Sequence, residues 1–411
     1  MIRKHSVSVG AASLAVSALL LSGCQSLGPT DSADLVLPGT VQPTTGVDGP
    51  CPDTDKDEYT IAVIRWAPQD VFFNGVQLGQ RLERDRIQEQ CGVDIRWRLF
   101  GSNDASEQLK ALQSFIEAGV DGVDLVPAEG AAFTSILNDL HEEGVPVVTH
   151  DISVPGAPQT FVSFDNVEAG AAAGQAVVKK LDELRGTEWR QEEGVFIELR
   201  CIISADFDIA RHTGFRQSVD PVVDASGGQI SVASQEVGCD NSQARTATDD
   251  IISRFGGDKV LGVLAVDGDS ALGALSALTT RDLIVAQDDA AYVPVVAIDA
   301  SAPELVAIAD GRMLMSAEQP GLASGMIAQR LMFEMLASGE LIEAPAADSE
   351  YALPDFDGAP WLPITITTND LFDGAWYQTR AFNASDIPFD SQWHWANALA
   401  FFENGSWPTY E

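Results

Sequence analysis

Between Ser163 and Gly174 the chain reads SFDNVEAGAAAG, and the fold turns on how that stretch is read. An apolar run ends at Phe164, two polar side chains follow, and then comes a series of small residues. Asp and Asn side-chain oxygens accept hydrogen bonds from the free N–H groups of a first helical turn, so the pair suits a helix cap. It equally suits a place where the chain leaves one lobe for another. The pattern on either side decides between the two.

Upstream, YTIAVIRW (Tyr59–Trp66) reads as a strand and Phe72–Gln90 as a charged amphipathic helix. VDIRWRLF is a strand, ASEQLKALQSFIEAG a helix ending on Gly119, and VDGVDLVP a strand; AAFTSILNDLHEEG and VPVVTHD supply the next helix and strand. Downstream a helix runs from Val167 to about Leu184, and the alternation restarts. GVFIELR, QISVASQEV, KVLGVLAVD, YVPVVAID and MLMSAEQP read as strands. The segments around IARHTGFRQSV, NSQARTATDDIISRF, SALGALSALTT and GLASGMIAQRLMFEML read as helices. Strands alternating with helical segments mean βαβ units and a parallel sheet. Near-continuous Val, Ile and Leu within the strands means that both sheet faces are covered. The fold class is therefore α/β, two consecutive doubly wound parallel-sheet lobes, with Asp165-Asn166 between them. The pattern repeats; the sequence does not.

The N-terminus reads as an export signal. MIRKH is basic, VSVGAASLAVSALLL is apolar, and LSGC closes the segment at Cys24. That run is short for a membrane span and fits a cleavable signal over residues 1–23. Leu-Ser-Gly-Cys resembles the bacterial lipobox, in which the Cys is lipidated; the competing reading is an ordinary signal peptide with an incidental Cys. Residues 24–58 are rich in Pro, Gly, Thr, Asp and Ser and read as a flexible tether. The 411-residue chain is long enough for two domains of ordinary size after that tether.

The formal net charge of −37 argues against a nucleic-acid partner, which carries the same sign. It also fits a saline habitat, where screening weakens self-repulsion. Five Cys become four once Cys24 is lipidated; four Cys allow three connectivities, of which the local pairs Cys51–Cys91 and Cys201–Cys239 are the expectation for an exported chain. Each loop of about 40 residues is worth roughly 4 kcal/mol in the chain-entropy account. No CxxC and no His at ligand spacing to a Cys supports a metal site, and no cofactor is expected.

In an open parallel sheet the ligand lies beyond the carboxyl ends of the strands. There the sequence places Asp70 with Phe72 and Phe73, then Asp151, Asp267, Asp299, and Glu318 with Gln319. Carboxylates and amides bond adjacent hydroxyls, and rings supply flat apolar faces, so the set suits a sugar or small polyol. Taken singly, an Asp after a strand is commonly an N-cap, and a paired Phe is commonly core.

From about Thr60 to Leu336 the chain resembles the type I periplasmic sugar-binding proteins, the ribose- and galactose-binding group of ABC-transporter receptors. The resemblance rests on AGVDGVDLVPAEGAAF, GVPVVTHD, SFDNVEAGAAAGQ, ARHTGFRQSV, DSALGALSAL and VPVVAIDA, in that order. It implies two lobes joined by a three-segment hinge. Asp165 and Asn166 would form the first crossing and cap its helix, Gln319-Pro320 the second, and PITITTND the third. The N-terminal lobe would comprise residues 59–164 and 319–366, and the C-terminal lobe 165–318 and 367–411. Asp70 with Phe72-Phe73 matches the family's Asn-Pro-Phe-Phe loop with Asp for Asn. Asp151 matches a ligand Asp, but the Arg that often follows is Ile152. Arg211 matches the second Arg of Arg-x-Arg-x-x-Gly-Phe, while the first falls on Ile209. Asp267 stands where an Asn often does, Asp299 matches an Asp, and Glu318 falls where Gln is common. The aromatic residue often found near Cys239 is missing. These departures remove donors and add carboxylates, which raises an amino sugar or other cation beside a polyol as ligand. The Trp-rich tail from Ala344 either caps the cleft or locks the hinge.

The resemblance further implies a monomeric solute receptor on the bacterial membrane, in the periplasm or at the cell surface. Its lipid anchor would be its only membrane contact, and an ABC permease its partner. A sensor-kinase or chemoreceptor partner is the alternative. A secreted enzyme is the third reading, but no GxSxG, HExxH, Walker A loop or post-strand GxGxxG supports catalysis.

Overall fold

The computed structural model describes residues 51–66, 70–164, 166–319, 321–339, 364–368 and 381–383. In the N-terminal lobe, β1 (Glu58–Arg65), β2 (Asp94–Gly101), β3 (Gly122–Leu125), β4 (Val147–His150) and β5 (Thr160–Phe164) alternate with α1 (Val71–Cys91), α2 (Ala105–Glu117) and α3 (Thr134–Glu142). The C-terminal lobe follows with α4 (Asn166–Arg185), β6 (Gly194–Arg200), α5 (Asp206–Ala225), β7 (Ile230–Glu236), α6 (Asn241–Phe255), β8 (Val260–Ala265), α7 (Gly268–Thr280), β9 (Val295–Asp299), α8 (Ala302–Ala309) and β10 (Met315–Glu318). The chain continues through α9 (Gly321–Ser338), β11 (Ile364–Thr368) and β12 (Ala381–Asn383).

Two sheets result, in the orders β11-β5-β4-β3-β1-β2 and β12-β10-β9-β8-β6-β7. Five strands of each are parallel and run in the same doubly wound order, as expected; β11 and β12 close one edge of each sheet antiparallel. The chain passes between the sheets after β5, after β10 and after β11.

Burial on both faces explains the unbroken apolar strands. Along β1, Tyr59, Ile61 and Val63 enter one core cluster while Ala62 and Ile64 enter another. Along β6, Val195, Ile197 and Leu199 face one side and Phe196 the other. Each sheet is thus a middle layer whose strand ends are free to carry polar groups.

The small residues quoted at the outset serve helix contact. A methyl at Gly170 would strike the backbone of Arg211, one at Gly174 the Phe215 carbonyl, and one at Gly214 the Val167 carbonyl. α4 and α5 therefore lie backbone against backbone, which fixes Arg211 in place. The sequence reading missed α8. Its start carries a capping box, in which Glu304 accepts from the Ser301 N–H at 2.7 Å.

Both expected disulfides are present. Cys51 and Cys91 lie 5.5 Å apart at Cα and Cys201 and Cys239 4.5 Å apart. Cys51 fastens the last residues of the proposed tether to the end of α1. Cys24, Asp165, Pro320, the side chain of Glu318 and most of the Trp-rich tail lie outside the described residues.

Candidate functional site

The carboxyl ends of both sheets meet at one cavity of about 70 Å³, space for several waters or one small solute at roughly 10–15 Å³ for each water. Trp66, Asp70, Phe72, Phe73, Asp151 and Ile152 line it from the N-terminal lobe. Phe207, Arg211, Cys239, Asp267, Gly268, Asp269, Asp299, Ser301 and Pro303 line it from the other, and Gln319 lies at the crossing. Every expected ligand residue that is fully described is therefore gathered there. Glu318 ends β10 opposite Asp299 of β9.

Arg211 holds the centre. Its Nε donates to Asn166 Oδ1 at 2.7 Å, Nη1 to the Val266 carbonyl at 2.6 Å, and Nη2 to Gln319 Oε1 at 2.7 Å. Gln319 Nε2 donates to Asp151 Oδ1 at 2.6 Å. Residues of both lobes and both described crossings are thus joined in one chain of bonds. The Asn166 oxygen accepts from Arg211; the cap expected of the Asp165-Asn166 pair involves Asp165, which lies outside the described residues. Phe207 lies one turn before Arg211 on α5, and the guanidinium sits 4.9 Å from its ring centre. That spacing of four residues was the signal by which Phe207 could have been found. Trp66, the last residue of the first apolar run, stacks on Phe73 with ring centres 6.0 Å apart.

The carboxylates play two kinds of part. Asp70 caps α1, accepting from the Phe73 N–H at 3.1 Å, and Asp267 caps α7, accepting from the Ser270 N–H at 2.9 Å and its hydroxyl at 2.6 Å. Neither Asp151 nor Asp299 is the N-cap of a helix that follows it. Asp151 has φ 59° and Asp299 φ 127°, with Ala300 at 52°, conformations that L-residues seldom adopt. Such strain gathers where a side chain has a task. The Asp299 carboxylate accepts from the Gly268 N–H at 3.0 Å and stands 3.7 Å from Arg211 Nη1.

Burial sets the electrostatics. It pushes the Asp70 carboxyl up to about 7, against the Phe73 N–H and helped by Asp269 and Asp267. Burial also raises Asp267 to about 6, opposed by the Ser270 bonds. Asp299 is raised well above the usual range by burial, which outweighs Arg211, and Asp151 is raised by the same cause. At the position after Asp151, Ile152 supplies no cation and packs instead against Cys201, Ala205, Phe207 and Val266 of the other lobe. His150 turns the opposite way from Asp151, its Nε2 lying 3.1 Å from the buried Asp124 carboxylate. Asp267, Cys201 and Cys239 lie close enough to share an ion, but the bond between the two sulfurs removes both thiolates as ligands.

Two lobes of this strand order, with a cleft at the carboxyl ends of both sheets, make the type I periplasmic binding protein fold. The chain belongs to the periplasmic binding protein domain family, whose model matches residues 61–341. It is 27% identical over 234 residues to the ribose import binding protein of Bacillus subtilis, covering 56% of this chain and 70% of that one. It is 25% identical over 272 residues to the xylitol-binding protein of Mycolicibacterium smegmatis, covering 66% and 70%. Among solved structures, the glucose-galactose binding protein GanP of Geobacillus stearothermophilus superposes with TM-score 0.60 at 18% identity, covering 81% of this chain and all, 100%, of that one. The Caulobacter myo-inositol binding protein gives 0.58 at 24%, covering 69% and 88%.

Proposed function

We propose that this chain is a lipid-anchored extracytoplasmic receptor that closes its lobes on a small sugar or polyol and delivers it to the permease of an ABC importer. The observation that carries the reading is the cleft. Acceptor groups from both lobes converge on one small cavity beside the rings of Trp66, Phe72 and Phe73. Hydroxyls of a polyol donate to Asp151 and Asp299, and an aromatic ring accepts the apolar face of a sugar. The Arg211–Gln319–Asp151 bonds couple occupancy of the cleft to lobe closure, the working motion of two-lobed receptors.

The names of the relatives, for ribose and xylitol, point to the same ligand class. The relatives are binding proteins, which supports a receptor rather than an enzyme. Cys24, at the end of an apolar leader, would carry the anchor. No helix among the described residues is long and apolar enough to cross a membrane.

A thermal-shift screen of the protein against pentoses, hexoses, inositols, linear polyols and amino sugars tests the reading. A ligand at 100 times its Kd adds roughly 2.7 kcal/mol, a rise of about 3–4 °C for a chain of this size. Asp151→Ala and Asp299→Ala, if folded, should abolish the shift. A well-folded protein that answers to nothing in the panel would count against a sugar or polyol ligand.

A further inference from the structure

We propose that the solute taken by this cleft carries a protonated amine on its hydroxylated frame, an inference that rests on reading the cleft as a sugar or polyol site. Five carboxyl side chains line the cavity, Asp70, Asp151, Asp267, Asp269 and Asp299, and Arg211 is the one cation among the described lining residues. The carboxyl groups outnumber the cation five to one, and burial raises Asp70, Asp151, Asp267 and Asp299, so their full ionisation calls for a further cation.

Arg211 answers one charge at most, and its guanidinium bonds neutral acceptors, Asn166, the Val266 carbonyl and Gln319, rather than a carboxylate. It stands 3.9 Å from Asp151 and 3.7 Å from Asp299, so its charge is shared between them. Asp151 supplies an independent observation. It is 8% exposed, its Oδ1 takes the Gln319 amide, and its Oδ2 has no hydrogen-bond partner among the described residues. That oxygen is open to the cavity, so a donor carried by the ligand can reach it directly.

A neutral sugar would give Asp151 a hydroxyl but leave the charge unanswered. An ammonium supplies donor and charge together, in the stronger charge-assisted kind of bond. The ring faces of Trp66 and Phe73 beside the cavity favour a cation as well. Because burial holds Asp70 and Asp267 partly protonated near neutrality, an arriving cation should expel protons.

Isothermal titration of the purified protein at pH 7 with matched pairs tests this: glucosamine against glucose, galactosamine against galactose, and N-acetylglucosamine as an uncharged control. In at least one pair the amine should bind about tenfold tighter or more. N-acetylation should erase that gain, and the heat should differ between phosphate and Tris in the sense of proton release. Asp151→Asn, with its melting temperature checked, should narrow the difference within the pair. Neutral members binding as tightly as their amines would overturn the charged ligand while leaving the sugar receptor standing. Absence of binding by both members of every pair, with a neutral pentose or polyol giving a thermal shift, would likewise overturn the charged ligand and leave the receptor reading standing.

Discussion

Whether an aspartate after a strand serves its own helix or the cleft depends on the next one or two residues of the chain. Asp70 and Asp267 are each the residue before a helix and give their oxygens to its first turn. Asp299 is released because Ser301, two residues on, takes the cap of α8. Asp151 is released because it leads into a loop, with no helix to cap. The buried carboxyls of this layer carry a pH signature. Burial raises Asp267 from an ordinary 3.8 to about 6 and Glu304 from 4.5 to about 7. The folded chain thus holds protons that the unfolded chain has lost. Their contribution to stability is full below the unfolded values and is lost as pH rises through the folded ones. The ligand-free protein should therefore melt higher at pH 5 than at pH 7.5, by a few degrees at roughly 1–2 °C for each kcal/mol. Asp267→Asn keeps an oxygen for the Ser270 N–H and should flatten that slope. Scanning calorimetry at the two pH values decides, and a melting point that rises with pH in this window would refute it.

The helix pair α4–α5 shows how an element carries a site. In an ordinary helix interior, Gly→Ala stabilises by about 0.5–1 kcal/mol. At Gly170 the added methyl meets the Arg211 backbone, so the sign should reverse. We expect Gly170→Ala to cost about 1–3 kcal/mol and to weaken ligand binding by displacing the guanidinium. Denaturant melts with a binding titration would check both; a more stable variant would mean that the pair has slack. At this scale the sequence is legible wherever the signal is local: the spans of β6 and α6 follow from periodicity to the residue. So do the post-strand acidic positions, because strand ends are readable. The α8 helix escaped because it is short, although Ser301-x-x-Glu304 announces it. Trp66 and Phe207 escaped because a ring at a strand end or in a helix reads as core until the opposing lobe is placed. The left-handed backbone at Asp151 and Asp299 has no local signature, since tertiary packing imposes it.

For the whole molecule the governing quantity is charge. With 61 acidic residues against 24 Lys and Arg, folding gathers like charge, and the cleft gathers more of it. Asp70 and Asp151 of one lobe then stand across a single small cavity from Asp267, Asp269 and Asp299 of the other. Salt should relieve both effects. The Debye length falls from about 10 Å at 0.1 M to about 3 Å at 1 M, so raising sodium chloride from about 0.05 to about 1 M should lift the melting temperature by several degrees. Chloride is the right salt for the test, because sulfate stabilises proteins by exclusion from apolar surface whatever their charge. The shape of the response separates the causes. Screening acts mostly while the Debye length shrinks from beyond the spacing of neighbouring charges to below it, so the rise should be steep at first and level off before about 1 M. A rise still linear at that concentration would indicate exclusion instead, and a flat response would mean that the acidic surface is already tolerated at low salt. In that last case the excess charge would serve solubility, and the saline habitat would lose its support.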